Sequence, residues 1–227
     1  MGQGITGKQI AGALTVVVLV LVVVVAVVAG RGEPTAAPPA GLPRVEPGPE
    51  DTAPSPERTW AVDDDVSVPD MEKPSLEPGR LEIPSIGVAA ELVSTRVENG
   101  EFIVPDPQRV GIHRSGTSDE LDARLAPGQG TLLASGHVTW NGELGALYEL
   151  HRVEPGALIH TSDAHGQVQT WVAVELRVVP HDQLPADLLD AGGERRLVVV
   201  TCAGEVIHDD AGRRVYADNL VVTAVPG

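Results

Sequence analysis

Residues 197–204 read L-V-V-V-T-C-A-G, and this stretch decides the fold class. Four consecutive branched or aliphatic residues with no polar alternation read as a strand buried on both faces. Thr201 and Cys202 follow, and Gly204 breaks the run. Residues 131–137, T-L-L-A-S-G-H, have the same layout: an apolar strand, a glycine, then His137. Residues 170–179, T-W-V-A-V-E-L-R-V-V, alternate with period two and put Glu175 and Arg177 on one face. Shorter β-like runs lie at 80–83, 88–93, 101–104, 157–161 and 219–225, between Gly and Pro punctuation. Helical signals are confined to 144–150 and 185–190. About eight strands with one or two short helices in under 150 residues predict an all-β barrel or sandwich.

Composition agrees. Hydrophobic residues are 42% of the 227, but aromatics only 3%, so the core rests on Val, Leu and Ala. The net charge of −16 excludes a nucleic-acid binder, which needs Lys and Arg in excess. A single cysteine excludes a disulfide framework and a Cys-rich zinc site. The chain has no phosphate-binding G-x-x-x-x-G-K, no H-E-x-x-H and no EF-hand loop.

The chain divides into three parts. Residues 1–30 read as a signal-anchor, because 10–29 is a run of twenty uncharged residues. At ~1.5 Å per residue such a helix spans ~30 Å, the thickness of a hydrocarbon core. A cleaved signal peptide fits less well, since its apolar region runs only ~7–15 residues. Residues 31–79 hold eleven prolines and eleven acids against four basic residues, and read as a disordered, semi-rigid acidic spacer. Residues 80–227 form the globular part, with 11 basic and 21 acidic side chains, a net −10.

A lone cysteine is ordinarily a small buried hydrophobe. In an exported domain, however, an unpaired thiol is an oxidation liability, so Cys202 reads as a nucleophile. A thiol nucleophile needs a proton-transfer partner, usually His. Of seven histidines, His137 stands out because it too ends a strand, whereas His208 lies in a polar loop. Acyl transfer also requires a group that stabilises an oxyanion. Arg213 and Arg214 precede the final strand and could reach the site if that strand pairs beside the cysteine strand. Side chains alternate along a strand, so only one of the two can point there.

These residues resemble the sortase family, most closely its class F. V-V-V-T-C (198–202) is similar to the family's T-L-x-T-C, with Val198 in place of the first Thr. S-G-H-V (135–138) resembles the segment around its histidine, and R-L-E-I-P-S-I-G-V (80–88) its opening strand pair. P-H-D-Q-L-P-A-D (180–187) is similar to its K-D-x-F-P turn, with His181 and Leu184 as departures. Y-A-D-N-L-V-V-T-A (216–224) resembles the class F ending, except that Ala217 stands where many members carry arginine.

The resemblance implies an eight-stranded sortase-type β-barrel behind one transmembrane helix and a Pro-rich linker. It implies a cysteine transpeptidase that cuts an L-P-x-T-G sorting signal between Thr and Gly. Cys202 would carry the thioester, His137 would act as general acid and base, and Arg214 would hold the oxyanion. Thr201 and Arg213 would contact substrate. The partners implied are sorting-signal surface proteins and a peptidoglycan precursor or crossbridge amine. The place implied is the membrane of a Gram-positive cell, single-pass, with the catalytic domain outside. No cofactor is expected. No metal is expected either, because Asp106, Asp119, Glu120 and Asp122 lack the alternation of a calcium loop. Two alternatives carry less of the pattern. An L,D-transpeptidase would show H-G-C-x-R around its cysteine, and a degenerate sortase-like binding domain would explain Ala217.

Overall fold

In the computed structural model, residues 52–62, 74–98 and 101–227 are described. Their strands are β1 (Trp60–Ala61), β2 (Arg80–Ile83), β3 (Val88–Ser94), β4 (Val97–Glu98), β5 (Glu101–Phe102), β6 (Arg109–His113), β7 (Thr131–Ser135), β8 (Thr139–Trp140), β9 (Glu143–Leu144), β10 (Leu158–Ser162), β11 (Val168–Pro180), β12 (Arg196–His208) and β13 (Arg214–Pro226). One short helix, α1 (Leu121–Leu125), joins them, with 3-10 turns at Pro84–Ile86, Tyr148–Arg152 and Ala186–Leu189.

Eight of the strands close a barrel in the order β11-β10-β2-β3-β6-β7-β12-β13, and β13 pairs back to β11. Two neighbour pairs, β3–β6 and β7–β12, are parallel, while the others are antiparallel. Closure leaves no open sheet edge in the ring. The expected all-β barrel is therefore present. The apolar stretch 10–29 lies outside the described residues, and among those described no helix is long and apolar enough to cross a membrane.

The uniform run in β12 has the anticipated reason. Leu197 and Val199 point into the barrel with Leu132, Trp171 and Val222. Val198 and Val200 point outward, beneath Leu184 and, from the third 3-10 turn, Leu188, beside Leu133 and Val221. Both faces are thus dry, and alternation vanishes. Inside the barrel, Trp171 is fully buried and its indole Nε1–H donates to Thr161 Oγ1 at 3.0 Å. Truncating such a core side chain to alanine costs about 3–5 kcal/mol.

Three elements differ from expectation. The run at 101–104 is not a barrel strand; only Glu101–Phe102 pairs, with β4 in a side hairpin. The barrel position is filled instead by β6, R-V-G-I-H, which Gly111 hides from a β pattern. A Cβ at Gly111 would sit 3.0 Å from both Pro105 Cδ and Thr95 Cγ2, so the close packing there calls for glycine. β12 and β13 also run further than the apolar pattern, as a long hairpin that reaches His208 and Arg214.

Part of the stretch expected to be a free spacer is docked on the barrel. Trp60 and Ala61 pair with Leu176 and Glu175 of β11, and the Trp60 indole donates to the Val153 carbonyl at 3.3 Å. Burying one large aromatic on a barrel flank is enough to order a proline-rich segment locally.

Candidate active site

The parallel register of β7 and β12 builds the site. Thr131 lies opposite Arg196, and the pairing runs without a slip to Ser135 opposite Val200. Gly136 N–H then donates to the Val200 carbonyl at 3.3 Å. β7 ends at Ser135, and the same register carried two residues past the Ser135–Val200 pair sets His137 level with Cys202. The Thr201 hydroxyl, donating to the Gly136 carbonyl at 2.9 Å, ties the two segments together. Thr201 is almost fully buried, so its hydroxyl is committed to this tie rather than to a substrate.

His137 is itself buried, with the Trp140 ring tilted against it at a centroid distance of 4.9 Å. Its Nδ1 has no hydrogen-bond partner among the described residues. Burial lowers the imidazole pKa from its ordinary value, against the opposing pull of the Pro105 carbonyl and the Asp106 charge. The ring is therefore neutral at physiological pH.

Main chain from the β8–β9 hairpin fixes the position of His137. Gly145 N–H donates to the Val138 carbonyl at 2.8 Å, and Leu147 N–H to the His137 carbonyl at 3.1 Å. A Cβ at Gly145 would lie 2.2 Å from the His137 carbonyl oxygen and 2.8 Å from its Cβ. No rotamer relieves a clash with backbone. Gly145→Ala is therefore expected to cost about 1–3 kcal/mol, as overpacking does. It should also displace the imidazole, so that loss of turnover exceeds what the shift in urea midpoint explains. Denaturation curves measured beside a pH–rate profile check this.

Cys202 lies opposite Asn219 of β13, so their side chains share the outer face at ~5 Å between Cβ atoms. The thiol is packed in an apolar cluster with Ala53, Val138 and Tyr216 and is only 7% exposed. Tyr216 and Thr139 join hydroxyl to hydroxyl beside it. Asn219 is fully buried; its Nδ2 donates to the His181 carbonyl at 3.2 Å, and its Oδ1 has no partner among the described residues. Burial pushes the Cys202 thiol up to about 12. Burial thus favours the neutral form of both the Cys202 thiol and the His137 imidazole.

That state has a kinetic signature. Between pH 6 and 10 the thiolate fraction of such a cysteine rises about tenfold per pH unit. Alkylation of Cys202 by iodoacetamide should therefore rise log-linearly with pH across this range, whereas an ordinary thiol levels off near pH 9. A plateau below pH 8 would show an ion pair instead.

Two of the acids weighed as metal ligands are engaged elsewhere. Asp119 pairs with the buried Arg124, and Asp122 accepts from Ala164 N–H at 2.8 Å. Among the described residues no group of three His, Cys, Asp or Glu side chains converges.

The sortase domain model matches residues 81–226, most of the chain and all of the barrel. The chain belongs to the sortase family. Sortase C-1 from Actinomyces oris is 18% identical, with a TM-score of 0.47 over 65% of this chain and 72% of that one. Sortase C2 of Pilus Island 1 from Group B Streptococcus is 17% identical, with a TM-score of 0.48 over 66% and 73%. A lid mutant of sortase A from Corynebacterium diphtheriae is 15% identical, with a TM-score of 0.48 over 68% and 72%. No curated protein matches the chain in sequence.

Within this sortase the arginines are not where the sequence placed them. The last strand does pair beside the cysteine strand, but antiparallel, with Arg214 opposite His208 at the far end of the hairpin. Five residues of β13 separate Arg214 from Asn219, roughly 17 Å of strand. Arg213 bonds Asp209 at 3.0 Å in the exposed turn. Neither is brought to Cys202 by the register. The position that shares the face of Cys202 and Asn219, two residues back along β13, is Ala217. Asn219 and Gly145 were missed because each matters through a neighbour, and sequence spacing does not show which neighbour that is.

Proposed function

We propose that this sortase is a class F-like cysteine transpeptidase that cleaves an L-P-x-T-G-type signal between Thr and Gly. The observation that supports the reading is the parallel β7–β12 register, whose last pair, Ser135 with Val200, lies two residues before His137 on one segment and two before Cys202 on the other. The sulfur attacks the threonine carbonyl while its proton passes to His137. The tetrahedral intermediate collapses with loss of the Thr–Gly C–N bond, and His137 returns the proton to the leaving glycine amine. An incoming amine, from a peptidoglycan precursor or crossbridge, then gives up a proton to His137 as it attacks the thioester. This forms a new amide and regenerates the thiol. A neutral resting pair suits this cycle, since the imidazole begins able to accept and the thiol keeps its proton until substrate arrives. The twenty-residue apolar run at 10–29 supports a single-pass anchor with the barrel outside the cell.

A degenerate binding domain is the second reading, favoured by Ala217 on the cysteine face. The test is intact-mass analysis of the full-length chain in detergent after incubation with an L-P-x-T-G peptide. An acyl adduct on Cys202 that hydroxylamine releases is the expected result. Peptide bound without an adduct, by folded protein and across related motifs, would select the second reading.

A further inference from the structure

The imidazole of His137 has an aromatic neighbour that the strand pattern did not mark. Trp140 stands three residues further on, half-buried, with its ring tilted at 43° against the imidazole and 4.9 Å between centroids. A cation within about 6 Å of an indole centroid is attracted by the ring quadrupole, and tryptophan exerts the strongest pull of the aromatic residues.

The β8–β9 hairpin holds the two rings together. Thr139 pairs with Leu144 and Trp140 with Glu143, so Asn141 and Gly142 alone make the turn. Their φ values, +49° and +82°, are both positive, as a two-residue type I′ turn requires. Asn141 is the one non-glycine residue with positive φ among those described, and Asn-Gly is the pair most suited to this turn. The N–H groups of Gly145 and Leu147 then bond back to the Val138 and His137 carbonyls, which anchors Trp140 and His137 to the same short loop.

No carboxylate among the described residues is bonded to this histidine. Its Nδ1 has no partner among them. Asp106 acts on the ring only through its charge and is shared with Arg109 at 3.6 Å. Glu143, opposite Trp140 in the hairpin, is exposed. Cys202, level with His137 in the β7–β12 register, is the other titratable group at the site. A buried imidazolium without a counter-ion is costly, yet proton transfer from sulfur to a leaving amine has to pass through one.

We propose that Trp140 is a positioning residue for His137, and that its π face stabilises the imidazolium formed when the thiol gives up its proton, where a hydrogen-bonded carboxylate would otherwise do so. The choice matters for the resting state. A carboxylate bonded to the ring would raise its pKa and leave it charged at rest, unable to take a proton from sulfur. An indole face cannot accept the proton and exerts a smaller pull. The imidazole therefore rests neutral, and the charge, once formed, stays on it until an amine takes the proton. The catalytic part of this rests on the transpeptidase reading, while the contact between the rings does not.

The test follows the His137 pKa by NMR in the full-length chain in detergent micelles, with isotope-labelled histidine and the His137 signal assigned by its loss in His137→Gln. Tryptophan carrying one and then several ring fluorines is installed at residue 140 alone by stop-codon suppression. Fluorine drains the π face while nearly preserving the ring's shape, and Trp60 and Trp171 stay native. The His137 pKa should fall at each step, by about 0.5–1 over the series. Trp140→Leu should lower kcat for L-P-x-T-G cleavage about 10-fold with KM little changed, since only the charged state loses its partner, and Trp140→Phe should recover part of the loss. A His137 pKa that stays constant along the fluorine series would overturn the proposal even if Trp140→Leu is slow, because a packing role is blind to fluorine. If the pKa falls along the series yet the wild-type chain forms no acyl adduct with the peptide, the ring contact stands and the transpeptidase reading falls.

Discussion

Cys202→Ala and His137→Ala, each in the full-length chain, are expected to lower cleavage of an L-P-x-T-G peptide by roughly 10⁴-fold or more. In the proposed mechanism the two residues act as one unit, because burial favours the neutral Cys202 thiol until an imidazole takes its proton. Removing either partner removes the step, so the double variant should be no slower than the worse single one. Both substitutions should leave the barrel folded. Neither residue belongs to the large interior cluster, and Cys202 packs in a small satellite cluster with Ala53, Val138 and Tyr216. Peptide-release kinetics beside thermal melts check the prediction, and either single variant within tenfold of wild type would remove that residue from the mechanism. The pH dependence has a definite sign. The His137 pKa is lowered in the fold, so its stability contribution is complete above the ordinary value of 6.5 and is lost as pH falls through the lowered value. The Cys202 value is raised, so its contribution is complete below the ordinary value of 9.0 and is lost as pH rises toward about 12.

Ala217→Arg should raise kcat/KM by roughly 10-fold or more, a gain in function rather than a loss. The register is the reason. Asn219 faces Cys202, and residue 217 follows on the same side about 7 Å further along β13. A guanidinium there reaches back to the carbonyl under attack and meets the developing oxyanion with a planar fork of donors. The backbone at 217 is already committed, its carbonyl accepting from His181 N–H at 2.9 Å, so the strand need not move. Ala217→Lys supplies charge without the fork and should gain less. An unchanged or lower rate in the arginine variant would show that this sortase stabilises its intermediate by other donors.

What could be read from the chain followed local grammar. The strand-then-glycine pattern marked both Cys202 and His137, although only β7 ends before its glycine, while β12 bulges at Gly204 and runs on to His208. The unbroken Leu197–Val200 run signalled a doubly covered strand for the same physical reason that the structure shows. The arginines failed on register. The turn pairs His208 with Arg214, far along β12 from Cys202, the bulge between Ala203 and Val206 shifts the pairing further, and no residue type announces either. β6 was missed because Gly111 interrupts its apolar run, although packing against Thr95 and Pro105 is what demands that glycine. The α1 helix is five residues long, too short for any period, and is held by Leu121 and Leu125 against the core and by the hydrogen bonds of buried Arg124. Ala53 carries no signal at all, since a small residue before a proline is common in any linker.

The parallel pairing of β7 with β12 also dictates when the site comes into being. Its partners stand 65 residues apart in the chain, Thr131 against Arg196. A hairpin such as β12–β13 can zip from its turn, but a parallel pair must first close the whole intervening loop, at an entropic cost recovered only after the strands meet. Cys202 and His137 therefore come together late in folding. On the proposed export, the chain would until then carry its single sulfur unprotected through an oxidising compartment, and the speed of barrel closure would govern how many molecules arrive with a thiol still able to react.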